Sequence, residues 1–191
     1  MLPVDAFRPA LAKIIEVLRE TGIRFHLTGG IISAIYTEPR FTQDADIVVD
    51  PLAMRENLES FLVLLKARQY LFDAPSIREA VANGRLFQLL DTEEILKIDV
   101  YPRELVPGEL DRSVFKELFP GMEVPVVSRT DIAMAKLIWI SRGSHKSRSD
   151  LRKILSRASE TESKTVHEFA GTFSLLPLLE EVLGESDELP D

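Results

Sequence analysis

The sequence predicts an α/β (α+β) fold, with a mixed β-sheet and flanking helices over residues 1–127 and a C-terminal helical region over residues 128–191. Three observations predict it. Amphipathic helical segments alternate with short β-branched segments through the first two thirds of the chain. After Ser128 the texture becomes wholly helical, and neither an internal repeat nor a low-complexity linker divides the chain. At 191 residues, a globule buries on the order of 70% of the surface its unfolded chain exposes, enough for one self-sufficient core.

Each element has its own warrant. Phe7, Leu11, Ile14, Ile15 and Leu18 stand at helical spacing and predict a helix over 5–20, stopped by Thr21-Gly22. Residues 23–28 read as a strand running into Gly29-Gly30, followed by a short apolar helix over 31–36. The polar connection Glu38 to Gln43 leads to a second strand, Asp44 to Asp50, which Pro51 closes. Leu58, Phe61, Leu62 and Leu65 predict a helix over 53–69, while 70–82 leaves helix and strand open. Residues 85–90 and 95–101 predict a hairpin around the polar turn 91–94. A short helix is expected over 111–118, ending at Pro120-Gly121, and then a strand over 124–127 that Pro125 places at a sheet edge. Helices are expected over 129–142, 147–159 and 164–184, the last interrupted at Gly171 and Pro177. Trp139 is expected to pack against the sheet.

Composition excludes several classes. Hydrophobic residues at 45% and charged residues at 28% argue against wholesale disorder. No apolar run approaches the ~20 residues that span a bilayer, and no basic-then-apolar leader opens the chain, so a cytoplasmic protein with no membrane partner is expected. Without cysteine there is no disulfide framework, thiol nucleophile, iron–sulfur cluster or Cys-type zinc site. The net charge of −8 argues against nonspecific coating of nucleic acid. It hides a basic stretch, Lys136 to Arg157, with seven Lys/Arg against Asp150 alone, and a tail from Glu180 with six acids and no base. The basic stretch reads as a solvated helix face or a docking surface for a polyanion, and the tail as frayed at its end.

The chemistry concentrates around Gly29-Gly30 and Asp44-Ala45-Asp46. Residues i and i+2 of a strand share a face, so Asp44 and Asp46 emerge side by side, roughly 6.5–7 Å apart at Cα. Adjacent carboxylates repel, and a divalent cation between them relieves that; hard oxygen ligands are what Mg²⁺ requires. Asp99 lies on another apolar strand, Lys97 to Tyr101, and would join them if the strands pair. Glycines at a strand-to-helix junction allow close backbone approach, and the helix amides can hold phosphate oxygens. Each feature has a plain structural reading: a turn for the glycines, a solvated pair for Asp44 and Asp46, a strand-end acid for Asp99, a snorkelling surface lysine for Lys136 and a helix cap for Asp150. The three histidines show no metal-ligand spacing, and His26 reads as a satisfied core residue.

Thr28-Gly29-Gly30, Arg40, Thr42, Asp44-Ala45-Asp46 and the later strand aspartate resemble the polymerase-β-type nucleotidyltransferase superfamily. More specifically, the chain resembles small bacterial nucleotidyltransferases related to the toxin of abortive-infection type IV toxin–antitoxin systems, over about residues 5–155. That stretch includes the Thr130 to Lys136 helix and Asp150-Leu151. The resemblance implies that Asp44 and Asp46 ligate metal, Mg²⁺ or Mn²⁺, with Asp99 as third ligand or as base for the incoming hydroxyl. It implies that Gly29, Gly30 and Ser33 contact phosphates, that Arg40 and Thr42 support the triphosphate, that Lys136 reaches the nucleotide phosphates or ribose, and that Asp150 orients Lys136 or a metal-bound water. The expected activity is transfer of a nucleoside monophosphate from an NTP to a hydroxyl of a tRNA, a protein or a small molecule, releasing pyrophosphate, with an antitoxin-like protein as partner. The alternatives are a catalytically inactive nucleotide-sensing or interaction module of the same fold and, more weakly, a metal-dependent phosphohydrolase.

Overall fold

Residues 7–38 and 44–185 are described by the computed structural model. In chain order they form α1 (Arg8–Glu20), β1 (Phe25–Thr28), α2 (Gly29–Tyr36), β2 (Asp44–Val49), α3 (Pro51–Ala67), β3 (Tyr70–Leu71), α4 (Ala74–Ala82), β4 (Phe87–Asp91), β5 (Leu96–Tyr101), β6 (Val114–Phe119) and β7 (Met122–Val126). Four helices follow: α5 (Arg129–Ser141), α6 (Lys146–Leu155), α7 (Glu160–Thr172) and α8 (Leu176–Leu183).

The strands make one mixed seven-stranded sheet in the order β3-β4-β5-β2-β1-β7-β6. β2 and β5 lie near its middle because they are apolar enough to be covered: Ala45, Ile47, Val49, Ile98 and Val100 are fully buried. β2 runs parallel to β5 and antiparallel to β1. Against the sheet's core, α1 contributes Leu11, Ile14, Ile15 and Leu18, the stripe that its spacing predicts. Asp50 caps α3 by accepting from the Leu52 and Ala53 amides, and Pro51 sits in the helix's first turn. The open stretch 70–82 becomes the two-residue β3 and α4, which Asp73 caps through the Ser76 amide. The predicted β4–β5 hairpin forms, its turn held by Asp91 Oδ1 accepting from the Glu93 and Glu94 amides.

Two expectations for 111–127 are corrected. The short helix over 111–118 is instead strand β6, paired antiparallel with β7, and Pro120-Gly121 is their turn rather than a helix stop. Gly121 has φ +75, and Pro followed by Gly is the order a type II turn requires. Nor is β7 an edge strand, since β6 lies outside it. Backbone N–H groups along a strand face its two neighbours in turn. The Val127 N–H donates to the Leu27 carbonyl of β1, so the N–H that Pro125 lacks would also have faced β1. There β1 and β7 share a single registered pair, Leu27 with Val126, and little ladder is lost.

The chain divides into two compact units, Met1–Ile32 with Pro39–Val127, and Ser33–Glu38 with Ser128–Asp191. In the second, Ser128 caps α5, and Ser159 with Glu162 forms a capping box that starts α7 at Glu160, earlier than its apolar pattern suggests. Gly171 lies inside α7. The break between α7 and α8 falls at Ser174, whose φ is +57, and Pro177 stands in the first turn of α8. Trp139 is not packed away: it keeps 36% of its surface exposed, with the Arg142 guanidinium 5.4 Å from its ring centre.

Candidate active site

The site grows from the junction of β1 and α2. Thr28 pairs with Asp46 across the β1–β2 ladder, and the next residue, Gly29, turns the chain into α2 with φ +69. Only glycine fits there. A Cβ on Gly29 would stand 1.8 Å from Asp46 Oδ2, inside any contact distance. The backbone of Gly30 donates a hydrogen bond to the Asp46 carboxylate, and the Tyr101 hydroxyl donates to Asp46 Oδ1 at 3.2 Å. The opening of α2 therefore directs backbone N–H at a carboxylate, the favourable partner for a helix N-terminus.

The β2–β5 register completes the constellation. Asp46 stands beside Asp99, and Asp44 beside Lys97, so four charged side chains form a block on one face of two neighbouring strands. The Lys97 ammonium lies 3.4 Å from Asp44 Oδ2 and 3.3 Å from Asp99 Oδ2. Asp99 is buried, and its Oδ1 has no hydrogen-bond partner. Burial, then the charges of Asp44 and Asp99, push the Asp46 pKa above the usual carboxylate range against the opposing hydrogen bonds from Tyr101 and Gly30. Burial also raises the Tyr101 hydroxyl, reinforced by the charge of Asp46, so it remains a donor. For Lys97, burial works to lower the pKa, but the hydrogen bond to Asp99 and the charges of Asp99 and Asp44 outweigh it, and the ammonium form is favoured.

Among the described residues, no three His, Cys, Asp or Glu side chains are grouped so as to hold a metal ion. The donor chemistry of Asp44, Asp46 and Asp99 nevertheless suits a hard divalent cation, being carboxylate oxygen throughout, and the unpartnered Asp99 Oδ1 is a free lone-pair site.

The remaining candidates fall elsewhere. Lys136 and Asp150 come together in the second unit as a largely buried ion pair, Nζ to Oδ2 2.7 Å. Asp150 sits in the middle of α6, which rules out the capping role that its sequence position allowed. Ser33, one turn into α2, is buried at 1% exposure. Arg40 and Thr42 lie outside the described residues. Sequence reasoning passed over Lys97 and Tyr101, although the period of two that put Asp44 beside Asp46 also puts Lys97, Asp99 and Tyr101 on one face of β5. Of the other motifs, His26 is fully buried, with Nδ1 2.8 Å from Ser113 Oγ and Nε2 unpaired 3.7 Å from Glu109 Oε2. Burial, and then the charge of Arg24, lower its pKa to about 3.

The basic stretch is less available than its sum suggests. Arg148 pairs with Glu181 and Glu185, Arg152 with Glu185, and Arg157 with Glu38. The acids from Glu181 to Glu185 are thus engaged with α6, while residues 186–191 lie outside the described residues.

Solved structures share this architecture. An antigenic nucleotidyltransferase-like protein from Paracoccidioides brasiliensis aligns at TM-score 0.53 and 17% identity, covering 95% of this chain and 94% of its own. The antibiotic-resistance factor ANT(2'')-Ia aligns at TM-score 0.54 and 15% identity, covering 90% and 95%. The fold is therefore that of a nucleotidyltransferase. No curated protein matches the chain. The family model described as nucleotidyl transferase AbiEii toxin, type IV TA system, matches residues 14–173. The chain belongs to that family, and it is a nucleotidyltransferase enzyme whose general chemistry is transfer of a nucleoside monophosphate. Membership implies an NTP substrate and a cognate antitoxin. Among the described residues, no helix is long and apolar enough to cross a membrane.

Proposed function

We propose that the chain is a Mg²⁺-dependent nucleotidyltransferase, acting in the cytoplasm as the toxin of its pair, with catalysis housed in residues 1–127. The observation that carries this reading is the β2–β5 register, which aligns Asp44, Asp46 and Asp99 beside the Gly29-Gly30 turn. In the reaction the acceptor hydroxyl oxygen bonds to the α-phosphorus, the bond from that phosphorus to the bridging oxygen breaks, and pyrophosphate leaves with the electron pair. Asp44 and Asp46 would hold the metal, and Asp99 would complete the ligand set or take the hydroxyl proton. A bound divalent ion supplies charge neutralisation at the triphosphate and a lowered pKa for the attacking hydroxyl. Gly29, Gly30, Ser33, Arg40 and Thr42 would serve the phosphates, and Lys136, held by Asp150, the nucleotide.

The reading is tested by calorimetric titration of each NTP with and without Mg²⁺, followed by α-labelled NTP against tRNA, protein and small-molecule acceptors. Metal-dependent binding and a labelled acceptor support it. A folded, metal-loaded protein that binds no NTP counts against this reading and favours an interaction module of the same fold. Residues 128–191 are expected to shape the choice of acceptor. With four of the seven basic residues from Lys136 to Arg157 ion-paired within the chain, charge alone does not single out an RNA.

Lys136→Met is expected to raise the KM for NTP by ~10-fold and to lower Tm, because Asp150 would be left buried and unpaired. The double variant Lys136→Met/Asp150→Leu should recover Tm without recovering KM. Recovery of both would reduce the pair to a structural contact.

A further inference from the structure

We propose that Lys97 is the built-in counter-ion of the carboxylate block, and that a divalent cation enters the site by displacing its ammonium group. The inference rests on the metal-dependent reading above and concerns how the site is loaded.

Its basis is the contrast between two lysine pairs. Lys136 and Asp150 are both nearly buried and meet at 2.7 Å, the length of a committed charge-assisted hydrogen bond. Lys97 instead lies at 3.4 Å from Asp44 and donates a long hydrogen bond of 3.3 Å to Asp99, shared between two carboxylates. Its side chain is 42% exposed, against 12% for Lys136, so its charge is held in a far more solvated setting. The register forces the arrangement, since Lys97 is the lateral neighbour of Asp44 and precedes Asp99 by two residues on the same face. One ammonium also leaves the block undersatisfied. Asp99 Oδ1 is buried with no partner, and Asp46 lies beside it without a cation of its own among the described residues.

An ion of charge two, accepting several oxygens at once, satisfies what a single ammonium does not. Until it arrives, Lys97 offsets the mutual repulsion of Asp44, Asp46 and Asp99 and keeps the block assembled. Loading is then an exchange of one cation for another, and lysine and metal compete for the same oxygens.

The test is isothermal titration of Mg²⁺ and Mn²⁺ into the full chain and its Lys97→Met variant, with thermal melts in EDTA. Lys97→Met is expected to bind the ions ~10-fold more tightly than the wild type, as the loss of a competing charge at this range implies. In EDTA it should melt at lower temperature, and saturating Mn²⁺ should close that gap. Lys97→Gln, which keeps a polar head without charge, is measured in parallel so that a poorly folded methionine variant does not decide the matter. Equal or weaker ion binding by folded variants overturns the exchange while leaving metal dependence intact. Absence of binding by wild type and variants alike overturns both. Binding by the variants alone overturns the exchange, since the wild-type ammonium would then exclude the ion instead of yielding to it.

Discussion

Asp46→Asn is expected to lower nucleotidyl transfer by ~10³-fold or more, of the order seen when a charge-stabilising group is removed from a catalytic centre, while raising the thermal stability of the metal-free protein. The two effects have one cause. The Asp46 pKa is raised in the folded protein by burial and by the charges of Asp44 and Asp99, so the native state holds that proton more tightly than the unfolded chain. Between the unfolded value and the raised one, the native state binds more protons, and stability therefore falls as pH rises through that window. Above it, the ionised carboxylate is a net cost to the fold. Asparagine removes the charge and keeps one acceptor oxygen, which can still take a hydrogen bond from the Tyr101 hydroxyl. Melts in EDTA from pH 4 to pH 8 should show a gap in favour of Asp46→Asn that widens as pH rises. A variant less stable than wild type at neutral pH would contradict this account of the block, and undiminished transfer would remove Asp46 from the metal site.

The second large effect is expected at Gly29. Alanine there adds two separable penalties: a left-handed backbone at φ +69, and a Cβ 1.8 Å from Asp46 Oδ2. The first costs about 1–2 kcal/mol of stability. The second forces Asp46 aside and is expected to reduce transfer by ~10²-fold, since displacement of about an ångström at a reacting centre has that consequence. Gly22 separates the two, because it has φ +68 with nothing within 4 Å of the added carbon. Gly22→Ala should lose comparable stability and keep full activity. If the two variants lose activity alike, the Gly29 contact is not what positions Asp46.

Much of this site was legible before any coordinates. A strand ending in Gly-Gly and opening a helix, and an Asp-x-Asp on a β-branched strand, are local patterns whose geometry follows from the pitch of strands and the φ preference of glycine. The family resemblance drew on the same residues. Local rules conflict at residues 111–125. Residues 111–118 carry apolar side chains compatible with either period, and Pro120-Gly121 ends a helix as readily as it turns a hairpin. Pairing with β7, more than the segment's own preference, makes it a strand. Proline favours sheet edges, yet Pro125 lies inside the sheet, its missing N–H falling where the β1 ladder is short.

By itself, the sequence determined that Asp44 and Asp46 share a face, that glycine must open α2 and that the last third is helical, because each depends on residues within a few positions of one another. The tertiary structure alone decided that Asp99 stands beside Asp46 and Lys97 beside Asp44. A slip of one residue between β2 and β5 would turn Asp99 and Lys97 to the opposite face with the local sequence unchanged, and only burial of Ile98 and Val100 on the other side prevents it. The pairing of the basic stretch with Glu38, Glu181 and Glu185 was equally hidden, since net charge along a chain carries no information about which charges meet when it folds.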